Sequence, residues 1–95
     1  MQFTYTKRYL HRFDRFPADD QHLILAADSQ VRAYYATRQA PHGLRIKLLH
    51  SGTAKVLEAR ASQAIRIVWV ETDDVVSFAL VGLHDEVRNY LRSLH

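Results

Sequence analysis

Four residues in the second half of the chain have the types and spacing that proton transfer around a phosphate requires. Glu58 and Arg60 stand two apart in VLEAR, Arg66 lies in IRIVWV, and His84 closes VVSFALVGLH. A carboxylate can take a proton, and a histidine can give one near neutral pH. Two guanidinium groups can hold a phosphate and stabilise the charge that develops on it. Each residue alone reads more simply as a charge on a solvated face. The four together do not, because unlike titratable groups gathered on one surface mark functional sites.

Whether they gather depends on strand register. With 56–61 as a strand, Leu57, Ala59 and Ala61 point one way and Val56, Glu58 and Arg60 the other. In 65–70, Ile65, Ile67 and Trp69 form the large apolar set, which leaves Arg66 opposite with Val68 and Val70. A two-residue turn at Gln63-Ala64 would set Ile67 beside Arg60 and push Arg66 towards the core. A three-residue loop, 62–64, sets Arg60 across from Arg66 and keeps the apolar sets together, so that loop is expected. Asp73-Asp74 suits a two-residue hairpin connection, which brings Val76, Phe78 and Leu80 alongside Trp69 and Ile67. Like charges directly opposite repel, so Arg60 facing Arg66 suits a bound anion better than an empty sheet. The Arg66 side chain points away from this core, so its removal should leave the fold intact.

Upstream, 44–49 alternates with Leu44, Ile46 and Leu48 inward and Arg45 and Lys47 outward, and 50–53 is a turn. Antiparallel to 56–62, this strand adds Arg45 and Lys47 to the face holding Arg60 and Arg66. Four cations then outweigh Glu58, and Lys55 joins them as a further candidate for polyanion contact.

The first half supplies the cover. Gln2–Tyr5 reads as a short strand and Thr6 as a helix N-cap. Over 7–16, Tyr9, Phe13 and Phe16 recur at helical spacing with Leu10 beside them, while Lys7, Arg8, His11, Arg12 and Arg15 fill a solvated or nucleic-acid-facing side. Phe16-Pro17 breaks this helix. A second helix, opened by Asp19 and Asp20, should run from about 18 to 36 or 38, burying Ile24, Ala27, Val31 and Tyr34 with Leu23 and Tyr35 flanking. The two helices form an antiparallel hairpin able to cover one sheet face. After a loop at 39–43, the only later helix is expected at 85–94. Asp85 is its N-cap, Val87, Leu91 and Leu94 its packing stripe, and Tyr90 sits beside that stripe.

Ninety-five residues fit one domain, 1–95, and 47% apolar with 24% charged residues fits a globular chain. Thirteen Lys+Arg against ten Asp+Glu give +3, a lean towards polyanions. There is no apolar run of ~18 residues for a membrane span and no export leader, so a cytoplasmic location is expected. Without cysteine there are no disulfides or thiolate–metal sites. His11, His22, His42, His50 and His95 are dispersed and read as surface residues, so neither a zinc site nor any other metal or cofactor is expected.

LEAR, then IRIVWV, then VVSFALVGLHDEV resemble the RelE/ParE superfamily of toxins from toxin–antitoxin pairs, and most of all its RelE-like branch. The arginine opening the third sheet strand and the VG-x-H ending of the fourth carry the resemblance, which is sharpest from Leu57 to Leu91. It implies an α+β fold: an N-terminal strand and helical hairpin on a mostly antiparallel sheet, with a C-terminal helix near its edge or open side. It also implies a metal-independent endoribonuclease that cuts messenger RNA, typically on the ribosome, by attack of the 2′-hydroxyl on the adjacent phosphate. By resemblance Arg66 holds the scissile phosphate, and Glu58 and Arg60 fall where members carry base and phosphate-binding side chains. His84 falls where some members have an arginine and others a histidine, a residue able to serve as general acid. Arg45, Lys47 and Lys55 are the candidate RNA contacts from the basic face. Tyr90 stands where the family often has a C-terminal tyrosine that stacks on the substrate, though it could equally pack against Val87 and Leu94. The archetypal member has lysines where this chain has Glu58 and Arg60, so its proton relay does not carry over. The resemblance implies a cognate antitoxin as partner. Two alternatives stay open: a DNA gyrase inhibitor like the ParE side, and a homologue that binds antitoxin without catalysis.

Overall fold

The computed structural model describes residues 1–94; His95, expected at the surface, lies outside them. The chain forms β1 (Gln2–Tyr5), α1 (Lys7–Asp14), α2 (Ala18–Thr37), a 3₁₀ turn (His42–Leu44), β2 (Lys47–Ser51), β3 (Lys55–Arg60), β4 (Ile65–Thr72), β5 (Val75–Leu83) and α3 (His84–Arg92). One five-stranded sheet has the order β1-β5-β4-β3-β2. β1 runs parallel to β5 and every other neighbour is antiparallel. This is the expected α+β arrangement.

Helix starts and stops follow local chemistry. Thr6 caps α1, its Oγ1 accepting the Tyr9 N–H at 3.1 Å and donating to the Ala79 carbonyl at 2.9 Å. Pro17 precedes α2, whose first turn carries Asp19 and Asp20, favourable at the positive end of the helix dipole. The α1–α2 hairpin covers one face of the sheet, where Tyr9, Phe16, Ile24, Ala27 and Val31 meet Leu57, Ala59, Ile67, Trp69, Phe78 and Val81. Phe78 is the hub of the aromatic part, stacked on Tyr5 with ring centroids 4.8 Å apart. On the opposite face a smaller cluster joins Val56, Val68 and Leu80 to Val87 of α3.

Leu80 is a correction. Strand alternation puts it with Trp69 and Phe78, but the β4–β5 pairing shifts by a residue, Val68 opposite Leu80 and Trp69 opposite Phe78. Ala79 is the extra residue of this bulge, and an extra residue reverses the phase of everything beyond it. Leu80 therefore turns to the α3 side and Val81 to the hairpin side.

The segment 44–49 also differs from a plain strand. Leu44 is buried at the end of the 3₁₀ turn, Arg45 adopts a left-handed conformation (φ 50°), and pairing begins at Lys47. Leu48 pairs with Leu57 but is 51% exposed on this edge strand, Leu49 packs on the smaller cluster, and a bulge separates Leu48 from His50. The first helix stops at Asp14, with Phe16 buried beyond it. The last helix begins a residue before its expected cap, with Leu83 at the N-cap and His84 first in the helix.

The second helix buries a carboxylate as well as its apolar stripe. Asp28 is 7% exposed and accepts the Tyr5 hydroxyl at 2.6 Å, tying α2 to β1. Loss of water pushes its pKa up, more than the Tyr5 hydrogen bond and Arg32 draw it down. Farther along, Tyr35, not Tyr34, packs on the core: it donates to Glu71 at 2.6 Å and accepts the Trp69 indole N–H at 2.7 Å. Leu23 is 45% exposed.

Candidate active site

β3 and β4 pair with Arg60 opposite Arg66, the register that a three-residue loop requires. Glu58 faces Val68 on one side and Lys47 on the other. On this face Glu58 and Arg66 are diagonal neighbours, close enough for long side chains to meet. They do: Arg66 Nε lies 3.3 Å from Glu58 Oε1, with each side chain only 12% exposed. The expected like-charge conflict between Arg60 and Arg66 is thus partly answered within the protein by a nearly buried carboxylate.

These groups line a cavity of about 410 Å³. Its walls are Glu58, Arg60 and Arg66 from the two central strands, Arg45, Ile46 and Lys47 from the chain entering β2, and His84 from the start of α3. All four residues singled out for chemistry meet here, together with two of the four candidate RNA contacts. Arg45 arrives by a different route from the expected one: its left-handed backbone, not strand alternation, turns it to the same cavity as Lys47. Four cations surround one carboxylate, and His84 is exposed at the rim. Such a site attracts a phosphodiester, offers guanidinium forks to its oxygens, and places a proton acceptor and a proton carrier beside it.

Two candidates lie elsewhere. Lys55 pairs with Ser51 and Glu71 at the far end of β3 from Arg60, about 17 Å away at strand rise. Tyr90 packs against the Val56–Val68–Leu80–Val87 cluster, with the Arg8 guanidinium 5.7 Å from its ring centroid. Among the described residues no three His, Cys, Asp or Glu side chains are grouped to hold a metal ion. No described helix is long and apolar enough to cross a membrane.

The sequence marks Gly82 only through the VG-x-H ending and gives Glu86 no role. Gly82 pairs with Arg66, and a Cβ on it would lie 2.7 Å from Glu86 Oε2. The glycine before the histidine was the available signal.

No family description and no curated protein matches the chain by sequence. Solved structures do match in shape. RelE in the archaeal RelE–RelB complex from Pyrococcus horikoshii OT3 superposes with a TM-score of 0.68 at 13% identity, over 86% of this chain and 92% of that one. The E. coli DinJ–YafQ toxin–antitoxin complex gives 0.68 at 15% identity, over 90% and 94%. The YoeB dimer from Staphylococcus aureus gives 0.67 at 13%, over 88% and 97%. The chain has the RelE-like fold. Identities this low speak for the RelE-like fold alone, and the chemistry rests on the cavity's own residues.

Proposed function

We propose that this chain is the toxin of a type II toxin–antitoxin pair, acting in the cytoplasm as a metal-independent endoribonuclease that cuts messenger RNA on the ribosome and halts translation. The observation carrying this reading is the one cavity that gathers Glu58, Arg60, Arg66 and His84 with Arg45 and Lys47 around them. A scissile phosphate entering it competes with Glu58 for the Arg66 fork. The freed carboxylate takes the proton of the adjacent 2′-hydroxyl as that oxygen bonds to phosphorus. The bond to the 5′-oxygen breaks, His84 supplies the proton that this leaving oxygen needs, and a 2′,3′-cyclic phosphate remains. Arg60 and Arg66 stabilise the charge spread over the non-bridging oxygens.

The partner in this reading is a small acidic antitoxin that covers the Arg45–Lys47–Arg60–Arg66 surface or displaces α3 beside it. The DinJ–YafQ neighbour is itself a toxin–antitoxin complex. The test is incubation of the purified protein with messenger RNA, with and without ribosomes, followed by mapping and end-group analysis of the fragments. Discrete cuts with cyclic-phosphate ends are expected. Intact RNA in both arms would overturn the reading, and inhibition of DNA gyrase by the same preparation would replace it with the ParE-like alternative.

A further inference from the structure

The mechanism above uses neither α1 nor Glu86, yet one carboxylate joins both to the cavity. Glu86 Oε2 accepts the Leu83 backbone N–H at 2.8 Å, closing the first turn of the helix that His84 begins. The same carboxylate receives Arg12 of α1 through two hydrogen bonds, Nε–H to Oε1 at 2.8 Å and Nη2–H to Oε2 at 2.9 Å. Arg12 is itself steadied by Phe16, whose ring centroid lies 4.1 Å from its guanidinium carbon. The Arg12 fork is also the main reason the Glu86 carboxyl is drawn below its ordinary range.

Gly82 completes the arrangement. A Cβ there would meet Glu86 Cδ at 2.8 Å as well as Oε2, so the clamped carboxylate occupies the space a side chain would need. Gly82 pairs with Arg66 on β4. The five residues 82–86 thus run from the strand partner of Arg66 to the clamped acid, and His84 is the middle one. Arg12 and Glu86 are 29% and 33% exposed, and pairs that open to solvent add little to global stability. A two-pronged pair between residues 74 apart in sequence instead fixes orientation.

We propose that Arg12 and Glu86 are positioning residues for His84: the clamp from α1 fixes the backbone at Leu83–His84 and so sets where the imidazole stands in the cavity it shares with Arg66. The inference rests on the RNA-cutting reading of the cavity. It is tested by single-turnover cleavage with Arg12→Gln and Glu86→Gln, each alone and combined with His84→Gln. Glu86→Gln keeps an oxygen for the Leu83 N–H, so it remains usable if Arg12→Gln folds poorly. Displacements of ~1 Å at a reacting group cost up to about 100-fold in rate, so each clamp variant should cut at least tenfold more slowly with unchanged RNA affinity. In the His84→Gln background the same changes should cost nothing further, because the group they position is gone. Equal losses with and without His84 would overturn the proposal in favour of simple stapling of α3. A second measurement needs no cleavage at all. In the free protein, Arg12→Gln should move the His84 ring resonances and speed exchange of the Leu83 amide while the Trp69 indole signal stays put. Unmoved His84 resonances would overturn the clamp. If the wild type cuts no RNA, the functional reading fails alone and the resonance measurement still decides the clamp.

Discussion

Replacing Arg66 with alanine should weaken the fold as well as the chemistry, contrary to what strand alternation implies. The structure gives Arg66 a partner that is itself 9% exposed, Glu58, at 3.3 Å. At an effective dielectric near 20, two unit charges at that separation attract by about 5 kcal/mol before desolvation is counted. Removing one member of a buried pair typically costs about 3–5 kcal/mol, because the other is left buried without a counter-charge. Here Arg60 and Lys47 share the cavity with Glu58 and soften that loss, so about 2–3 kcal/mol is expected. For a chain of this size each kcal/mol moves the melting temperature by about 4–8 °C, which gives a drop of roughly 10–20 °C. A domain of this length commonly holds about 5–14 kcal/mol in reserve, so the variant should still be folded at 25 °C, where cleavage can be compared fairly. Thermal melts of wild type, Arg66→Ala, Glu58→Gln and the double variant form the assay. The double variant should melt above Arg66→Ala, since the stranded charge is gone. A melting temperature for Arg66→Ala within about 3 °C of wild type, unimproved in the double variant, would refute the pairing argument.

Three further outcomes follow from single side chains. Tyr9 is buried and its hydroxyl has no hydrogen-bond partner among the described residues, so Tyr9→Phe should raise stability by about 1 kcal/mol in urea unfolding, and a loss would contradict the reading. The folded-state pKa of Asp28 is raised, so its contribution is full below the ordinary carboxylate range and is lost as pH rises through the folded value. Asp28→Asn, whose amide oxygen can still accept from Tyr5, should therefore stabilise the protein at pH 7 with a gain that shrinks in acid; a gain independent of pH would exclude the carboxylate as its cause. Arg45→Gly should relieve the left-handed backbone (φ 50°), adding about 1 kcal/mol of stability, while RNA binding weakens and the slope of its salt dependence falls by about 0.7. An unchanged slope would remove Arg45 from the RNA surface.

The central strand pair was legible because two constraints acted on it at once. Period-two alternation and the need to keep Ile65, Ile67 and Trp69 with Leu57 and Ala59 leave a single register, and that register brings Arg60 to Arg66. Leu80 was misplaced because it lies beyond a bulge, and nothing in the sequence nearby marks the residue that reverses the phase. Leu48 keeps its place opposite Leu57 but is 51% exposed on the edge strand. Asp28 could have been found, since Ile24, Asp28, Val31 and Tyr35 follow one helical stripe and a carboxylate on such a stripe needs a buried donor. The Arg12–Glu86 clamp could not, because its two halves are brought together only by the packing of α1 and α3 against β5. Lys55 shows what composition alone leaves open: a cation on the same strand as Arg60 sits at the opposite end of it from the cavity.

The cavity's proposed chemistry is tested most directly by single-turnover RNA cleavage against pH for wild type, Glu58→Gln and His84→Gln. With Glu58 as base and His84 as acid, the wild-type rate should rise and then fall with pH. Glu58→Gln should remove the acidic limb and His84→Gln the alkaline one, each with a lower maximal rate and little loss of RNA affinity. Lowered rates with both limbs intact in both variants would contradict the assignment, and would mean that this face only holds the RNA while the proton transfers are made by other groups.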